Sequence, residues 1–260
     1  MPGGTELRRN LGRATGVVVR YAKTTAFRGG MLRSREGLAC FNGFVALSIV
    51  AVTMLLTGAL AASPIKILAR GDSLIHGYGL PAGQTFPEQL EAALKAEGHD
   101  VVVLNAGNSG DTTAAGLARL DWALADKPDL VLVEFGGNDG LRGIDPADTR
   151  ANMDAMIARL TAEGLPVLLA GMLAPRNLGA EYAREFDAVF PEVAAKYDVA
   201  FYPFFLDGVA AEPSLNQPDG IHPNAAGVAV IVERILPHLV PLLERLTSEV
   251  GAAVERTGDG

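Results

Sequence analysis

The sequence predicts an α/β domain in which a parallel sheet is covered by helices on both faces. Three observations carry this. After Pro64, short runs of strand length alternate with longer stretches of helix length. The short runs are mainly apolar and partly β-branched, as strands buried on both faces should be. The connections are short, with no repeat or linker that would divide the chain.

The first strand is predicted at Ile65–Ala69, and Pro87–Glu97 follows as a helix with Leu90 and Leu94 four apart on one face. The next strand is Val101–Leu104, then a helix over Thr113–Ala125 and a strand over Leu130–Phe135. A helix at Ala147–Glu163 leads to a strand at Pro166–Ala170. A helix at Ala180–Lys196 then leads to a strand at Val199–Tyr202. Ala225–Leu246 closes the domain as a helix, and the end of the chain, Glu255-Arg256-Thr257-Gly258-Asp259-Gly260, reads as a frayed tail.

Upstream of this pattern, residues 37–65 carry no charge, and their centre is the apolar run Phe44–Leu56. Arg33 and Arg35 precede it and Ala59-Leu60-Ala61 follows. A basic start, an apolar run and an Ala-x-Ala site predict a secretory signal peptide cleaved after about Ala61, leaving residues 62–260 as the mature domain. The competing reading is an uncleaved anchor helix, since about 20 apolar residues span a bilayer. Met31 offers a second start that would give a signal of ordinary length, which makes residues 1–30 an over-extended N-terminus. Export places the mature chain in the periplasm or outside the cell. Without cleavage, it faces the periplasm from an N-terminal anchor.

The charge balance supports a small, neutral ligand. Residues 1–61 hold 8 of the 22 Lys and Arg and 2 of the 30 Asp and Glu, leaving 14 basic against 28 acidic, a formal −14. Such a surface repels nucleic acid and anionic headgroups. The mature chain is expected to be monomeric, without stable membrane insertion once the signal is removed. Its only candidate thiol, Cys40, lies in the removed segment, so neither a disulfide nor a thiol nucleophile is expected.

In parallel sheets, ligands bind beyond the carboxyl ends of the strands. The loops there hold Gly71-Asp72-Ser73, Asn105–Asp111, Gly136-Gly137-Asn138-Asp139 and Asp219-Gly220-Ile221-His222-Pro223. A serine hydroxyl becomes a nucleophile when a histidine takes its proton, and a carboxylate orients that histidine. Ser73 can fill the first role. Of the mature chain's histidines, His99 reads as solvated surface, His238 as structural and His76 as a rim or packing residue. His222 follows Asp219 by three in a turn made tight by Gly220, so Asp219 can orient it. The competing reading makes Asp219 a cap for the last helix. Oxyanion donors are offered by the amides of Ser73 and Gly107 and the side chain of Asn138, although Gly and Asn also favour ordinary turns.

The four segments Gly71-Asp72-Ser73-Leu74, Asn105-Ala106-Gly107, Gly136-Gly137-Asn138-Asp139 and Asp219-Gly220-Ile221-His222-Pro223 resemble, in order and spacing, the four blocks of the SGNH (GDSL) hydrolase family. Within it, the chain is similar to the bacterial periplasmic arylesterase and acyl-CoA thioesterase subgroup, from about Ile65 to Leu246. The resemblance implies a flavodoxin-like three-layer α/β/α sandwich with a five-stranded parallel sheet. It implies Ser73 as nucleophile, His222 as base and Asp219 as its orienter, with Ser73, Gly107 and Asn138 as the oxyanion hole. It also implies a serine esterase acting on aryl or short-to-medium acyl esters, with thioesters and lysophospholipids as further candidates, and with no metal or cofactor. Two positions depart from the subgroup. Arg70 replaces an apolar residue and Ile75-His76 replaces small ones, both flanking the nucleophile and so bearing on substrate preference.

Other chemistries fit less well. Ser73 lacks the Gly-x-Ser-x-Gly elbow, the loop at Gly107–Gly110 lacks a phosphate-binding lysine, and no His/Cys group has zinc spacing. A carboxylate pair from Asp72, Asp139 and Asp219 for glycoside cleavage leaves Ser73 and His222 without roles. An acyltransferase using the same acyl-enzyme, or an inactive binding protein on this fold, remains as the alternative. The loops Met172–Ala180 and Phe205–Gln217 are expected to shape the acyl pocket. Activity is expected to fall below roughly pH 6–7, where a histidine base protonates.

Overall fold

The computed structural model describes residues 63–258. The signal peptide expected over residues 1–61, with Cys40 and the second start at Met31, lies outside the described residues. Five strands, β1 (Ile65–Gly71), β2 (Val101–Gly107), β3 (Leu130–Glu134), β4 (Val167–Ala170) and β5 (Ala200–Tyr202), form one parallel sheet in the order β2-β1-β3-β4-β5. The chain leaves β1 for one neighbour and returns to β3 on the other side. The crevice at this reversal, beyond the ends of β1 and β3, is where such sheets bind ligands. All of β3 and the last five residues of β1 are buried, which accounts for their apolar sequence apart from Arg70 and Glu134.

The helices are α1 (Ser73–His76), α2 (Phe86–Ala96), α3 (Thr113–Ala118), α4 (Leu120–Leu124), α5 (Gly137–Leu141), α6 (Pro146–Ala162), α7 (Ala180–Asp187), α8 (Val189–Tyr197) and α9 (Ala225–Gly258). They group in two sets. Helix α2 packs with α9, and α6 packs with α3, α7 and α8. The stretch Ala225–Glu249 is long and apolar enough to cross a membrane. Its Val228, Ile231, Ile235, Leu239 and Leu243 are instead buried in the core of this domain. Beyond Leu246 the chain continues as helix to Gly258, where a loose tail was expected.

Three other expectations are corrected. Strands β1 and β2 run past their predicted ends because Arg70 stays paired with Ala106 and Gly71 with Gly107. The predicted helix over Thr113–Ala125 is broken at Arg119, which has φ −104° and ψ 8°. The cause comes from the sheet: the guanidinium of Arg70 donates to the carbonyls of Gly116 and Arg119 and so binds the C-terminus of α3. The stretch predicted as one helix over Ala180–Lys196 is likewise two, α7 and α8, divided at Ala188, where Phe186, Val189 and Phe190 all turn into the core.

Arg70 is fully buried, with its guanidinium carbon 5.7 Å from the centre of the Phe135 ring. Burial, then the charge of Arg119, lowers its pKa to about 10, with Asp111 acting in the opposite direction. It therefore stays charged at neutral pH and acts as a bolt between β1 and α3. Arg70→Leu is expected to cost about 1–3 kcal/mol for each carbonyl left without a donor, seen as a lower Tm. A raised Tm would show that the buried cation is a net cost.

Candidate active site

The site starts where β1 has to turn. A side chain at Gly71 would collide with Ile75 and with Glu134, so the strand can enter α1 here only as glycine. Asp72 caps α1, its Oδ1 accepting the Leu74 amide at 3.0 Å. One helical turn later Gly77, at φ +86°, ends α1, and its amide donates to the Ser73 carbonyl. A side chain at Gly77 would also strike Thr85. Ser73 is thus held at the first position of α1, where its own amide has no partner among the described residues.

The second half comes from the turn before α9. Asp219 accepts the amides of Ile221 and His222 on Oδ1, at 2.9 and 3.0 Å, and meets His222 Nδ1 with Oδ2 at 2.7 Å. Those hydrogen bonds, the His222 amide first, lower its pKa to about 2. An ionised carboxylate only accepts, so His222 Nδ1 must carry the proton. The lone pair of Nε2 then faces Ser73 Oγ at 2.9 Å and accepts its hydroxyl proton. Asp219 does not cap the last helix. That task falls to Asn224, whose Oδ1 accepts the amides of Ala226 and Gly227.

The imidazole is held from outside as well. The Tyr78 ring lies 4.6 Å from it, centre to centre. Gln217 donates from Nε2 to the carbonyls of Tyr78 and Pro223, tying the loop after α1 to the turn that carries His222. Gln217 ends the loop expected to shape the acyl pocket, but its tie to Tyr78, and the place of Tyr78 against the imidazole, were not expected from the sequence. The pair Gly77-Tyr78 after a serine motif was the available signal.

Asn138, on α5, donates from Nδ2 to Asp72 Oδ2 at 3.0 Å. An amide nitrogen has a second hydrogen, and Asn138 lines the cavity beside Ser73. Gly107 is placed differently from expectation. Its amide donates to Asn105 Oδ1 at 3.0 Å, and it lies against the backbone of Ile75 and His76, where a side chain would not fit. Its glycine is therefore explained by packing, and it is absent from the cavity wall. Gly110, three residues on at φ +87°, has an amide without a partner among the described residues. Arg142, at the end of α5, holds the Gly110 carbonyl at 2.9 Å.

Other candidates are accounted for. His76 is exposed, with Nδ1 3.4 Å from the Gly107 carbonyl. His99 is half-buried at the end of α2, and the His238 ring lies 5.0 Å from that of Tyr202. Buried Asp139 accepts from Thr113 and Thr149, joining α5 to α3 and α6, so it is no partner for Asp72 or Asp219. Among the described residues no three His, Cys, Asp or Glu side chains are grouped as metal ligands would be.

The cavity beside Ser73 measures about 200 Å³. Asn138 and His222 line its polar side, and Leu141, Met172, Leu173 and Ile221 its apolar side. Leu141 and Ile221 are 57% and 46% exposed, so an apolar rim stands open to solvent where a ligand would enter. Arg70 takes no part. It faces Phe135 and α3 inside the protein, so its effect on substrate preference, expected from sequence adjacency, is not seen in the geometry.

An ionised acid, a histidine and a serine linked in series at the mouth of an apolar cavity define a serine hydrolase. Residues 69–230 match the family described as GDSL-like Lipase/Acylhydrolase. The chain is 43% identical over 198 residues to esterase TesA of Pseudomonas aeruginosa, covering 73% of this chain and 98% of that protein. It is 38% identical over 184 residues to thioesterase 1/protease 1/lysophospholipase L1 of Escherichia coli, covering 70% and 87% respectively. Among solved structures, the SGNH-hydrolase family esterase AlinE4 superposes with a TM-score of 0.59 at 48% identity, over 69% of this chain and 97% of that one. The chain belongs to the GDSL-like lipase/acylhydrolase family of SGNH serine hydrolases.

The fold favours the ionised form of Asp219. Its contribution to stability is complete above the ordinary carboxylate value of 3.8 and is lost as pH falls through about 2. The loss of activity expected below pH 6–7 therefore leaves Asp219 ionised. Asp219→Asn should cut kcat by roughly 10⁴-fold, by analogy with the same change in a serine protease triad. A pH–rate profile and a kcat near wild type in that variant would contradict the arrangement.

Proposed function

We propose that Ser73 is the nucleophile, His222 the general base and Asp219 the residue that holds the base in its working tautomer. The single observation that carries this is the continuous hydrogen-bonded series from Asp219 through His222 to Ser73 Oγ. Ser73 Oγ attacks an ester carbonyl as its proton passes to Nε2. The imidazolium then protonates the departing alcohol, and water, activated by His222, releases the acid. Negative charge on the carbonyl oxygen is met by the Ser73 amide and by the free hydrogen of Asn138 Nδ2. Gly107 was the third donor expected; its amide is taken up by Asn105, and the unpartnered amide of Gly110 suits the role better.

The substrate is a small carboxylic ester whose acyl part is apolar. Leu141, Leu173 and Ile221 at the rim support this, and a cavity of about 200 Å³ suits a short-to-medium chain. Thioesters and lysophospholipids are further substrates of this reading, in keeping with the name of the Escherichia coli relative. The reaction requires no cofactor, since every proton and charge is handled by side chains and amides already named.

In the same reading the enzyme is exported. Residues 1–61 carry a basic start, an uncharged apolar run and an Ala-x-Ala site. Residues 62–260 then form the mature domain, a monomer in the periplasm or the medium.

Hydrolysis of p-nitrophenyl esters tests this directly. Ser73→Ala should abolish it, and Asn138→Ala should lower kcat by about 10²–10³-fold. Across chain lengths, kcat/KM should peak at short-to-medium acyl groups and shift when Leu141 or Ile221 is enlarged. A Ser73→Ala protein that retains activity would refute the assignment.

A further inference from the structure

The buried end of β3 carries an acid that the relay does not use. Glu134 is fully buried, and the alternation of side chains along the strands places it on the opposite face of the sheet from Arg70, which pairs with Val133. No ion pair among the described residues reaches it. Its carboxyl group occupies the space that a side chain at Gly71 would need. From there Oε2 accepts the Asp72 amide at 3.4 Å, while Oε1 has no partner among the described residues.

Asp72, directly above, is 1% exposed. Its two oxygens accept from Leu74 and from Asn138, and Oδ1 lies 3.5 Å from Ser73 Oγ. Two carboxyl groups thus share one dry site without a cation, and they cannot both be charged. Burial, then the neighbouring charge of Asp72, pushes Glu134 well above the usual carboxylate range. Burial raises Asp72 too, but its hydrogen bonds from Leu74 and Asn138 oppose that rise. Asp72 has two hydrogen bonds that favour its charge and Glu134 one long one, so of the two Glu134 is pushed further toward its protonated form.

We propose that Glu134 is a positioning residue for the reaction: its carboxyl group holds the Asp72 amide from beneath and so fixes the turn that presents Ser73 and, through Asp72, the side chain of Asn138. Glu134 touches neither substrate nor reacting atoms. It acts through Asp72, whose carboxylate joins the nucleophile's helix to the Asn138 donor. This role rests on the reading of Ser73 as nucleophile and Asn138 as oxyanion donor.

The test compares Glu134→Gln and Glu134→Leu in the full chain by steady-state hydrolysis of p-nitrophenyl butyrate, with Ser73→Ala alongside. Glutamine keeps a carbonyl that accepts the Asp72 amide and has the shape of the protonated acid, so kcat should stay close to wild type. Leucine fills the space but accepts nothing, so kcat should fall about a hundredfold, the scale of a misplaced reacting group. KM should change little, because the cavity walls are untouched. Full kcat in Glu134→Leu, or a loss confined to KM, would overturn the proposal. So would a folded Glu134→Gln as inactive as the leucine variant, and this arm decides the matter if leucine prevents folding. Full kcat in Glu134→Leu with a dead Ser73→Ala would overturn the role of Glu134 alone. An active Ser73→Ala would overturn both readings.

Discussion

The bond from His222 Nδ1–H to Asp219 gives the site its direction. Because Asp219 accepts two backbone amides as well, it stays ionised and cannot donate, so the neutral imidazole has one tautomer, with its other nitrogen free to accept. That nitrogen is aimed at a hydroxyl delivered from the other end of the domain, 149 residues earlier in the chain. The surrounding contacts serve this meeting. Asn224 starts α9 just after the turn, so Asp219 is spared that work, and Gln217 ties the turn to the carbonyl of Tyr78. The ring of Tyr78 then covers the imidazole.

Beneath Ser73 the constraint is crowding. Gly71 is the point at which β1, α1 and the end of β3 come closest, and the volume of its missing side chain is taken by the carboxyl group of Glu134. On the other face Arg70 binds the end of α3. The strand that leads to Ser73 is therefore flanked on both faces by buried ionisable groups. Both are costly to bury, and their positions one residue apart from the turn suggest what the cost secures: a backbone that cannot shift when the serine reacts.

Much of this was legible in the sequence. The five strands, the parallel sheet and the meeting of Ser73, Asp219 and His222 follow from short apolar runs and four loop motifs. The elements that differ do so for physical reasons. Thr113–Ala125 is rich in alanine and leucine, but a cation from a distant strand binds the carbonyls at Gly116 and Arg119, where the helix divides. Glu134 was passed over because the strand reading weighs the apolar residues of Leu130–Phe135 and not the single acid among them. Arg70 was read as a neighbour of the nucleophile, whereas strand alternation turns it toward α3. Gly107 and Gly110 share one glycine-rich loop, and only the strand pairing of Gly107 with Gly71, with its amide held by Asn105, separates a packing glycine from one with a free amide.

The central claim is that Ser73 carries the acyl group. Intact-protein mass spectrometry after treatment with a fluorophosphonate, followed by peptide mapping, tests it most directly. One adduct on Ser73, matched by loss of esterase activity and absent from His222→Ala at the same exposure, is the predicted result. An adduct on another residue that abolishes activity, or full activity with Ser73 fully labelled, would contradict it.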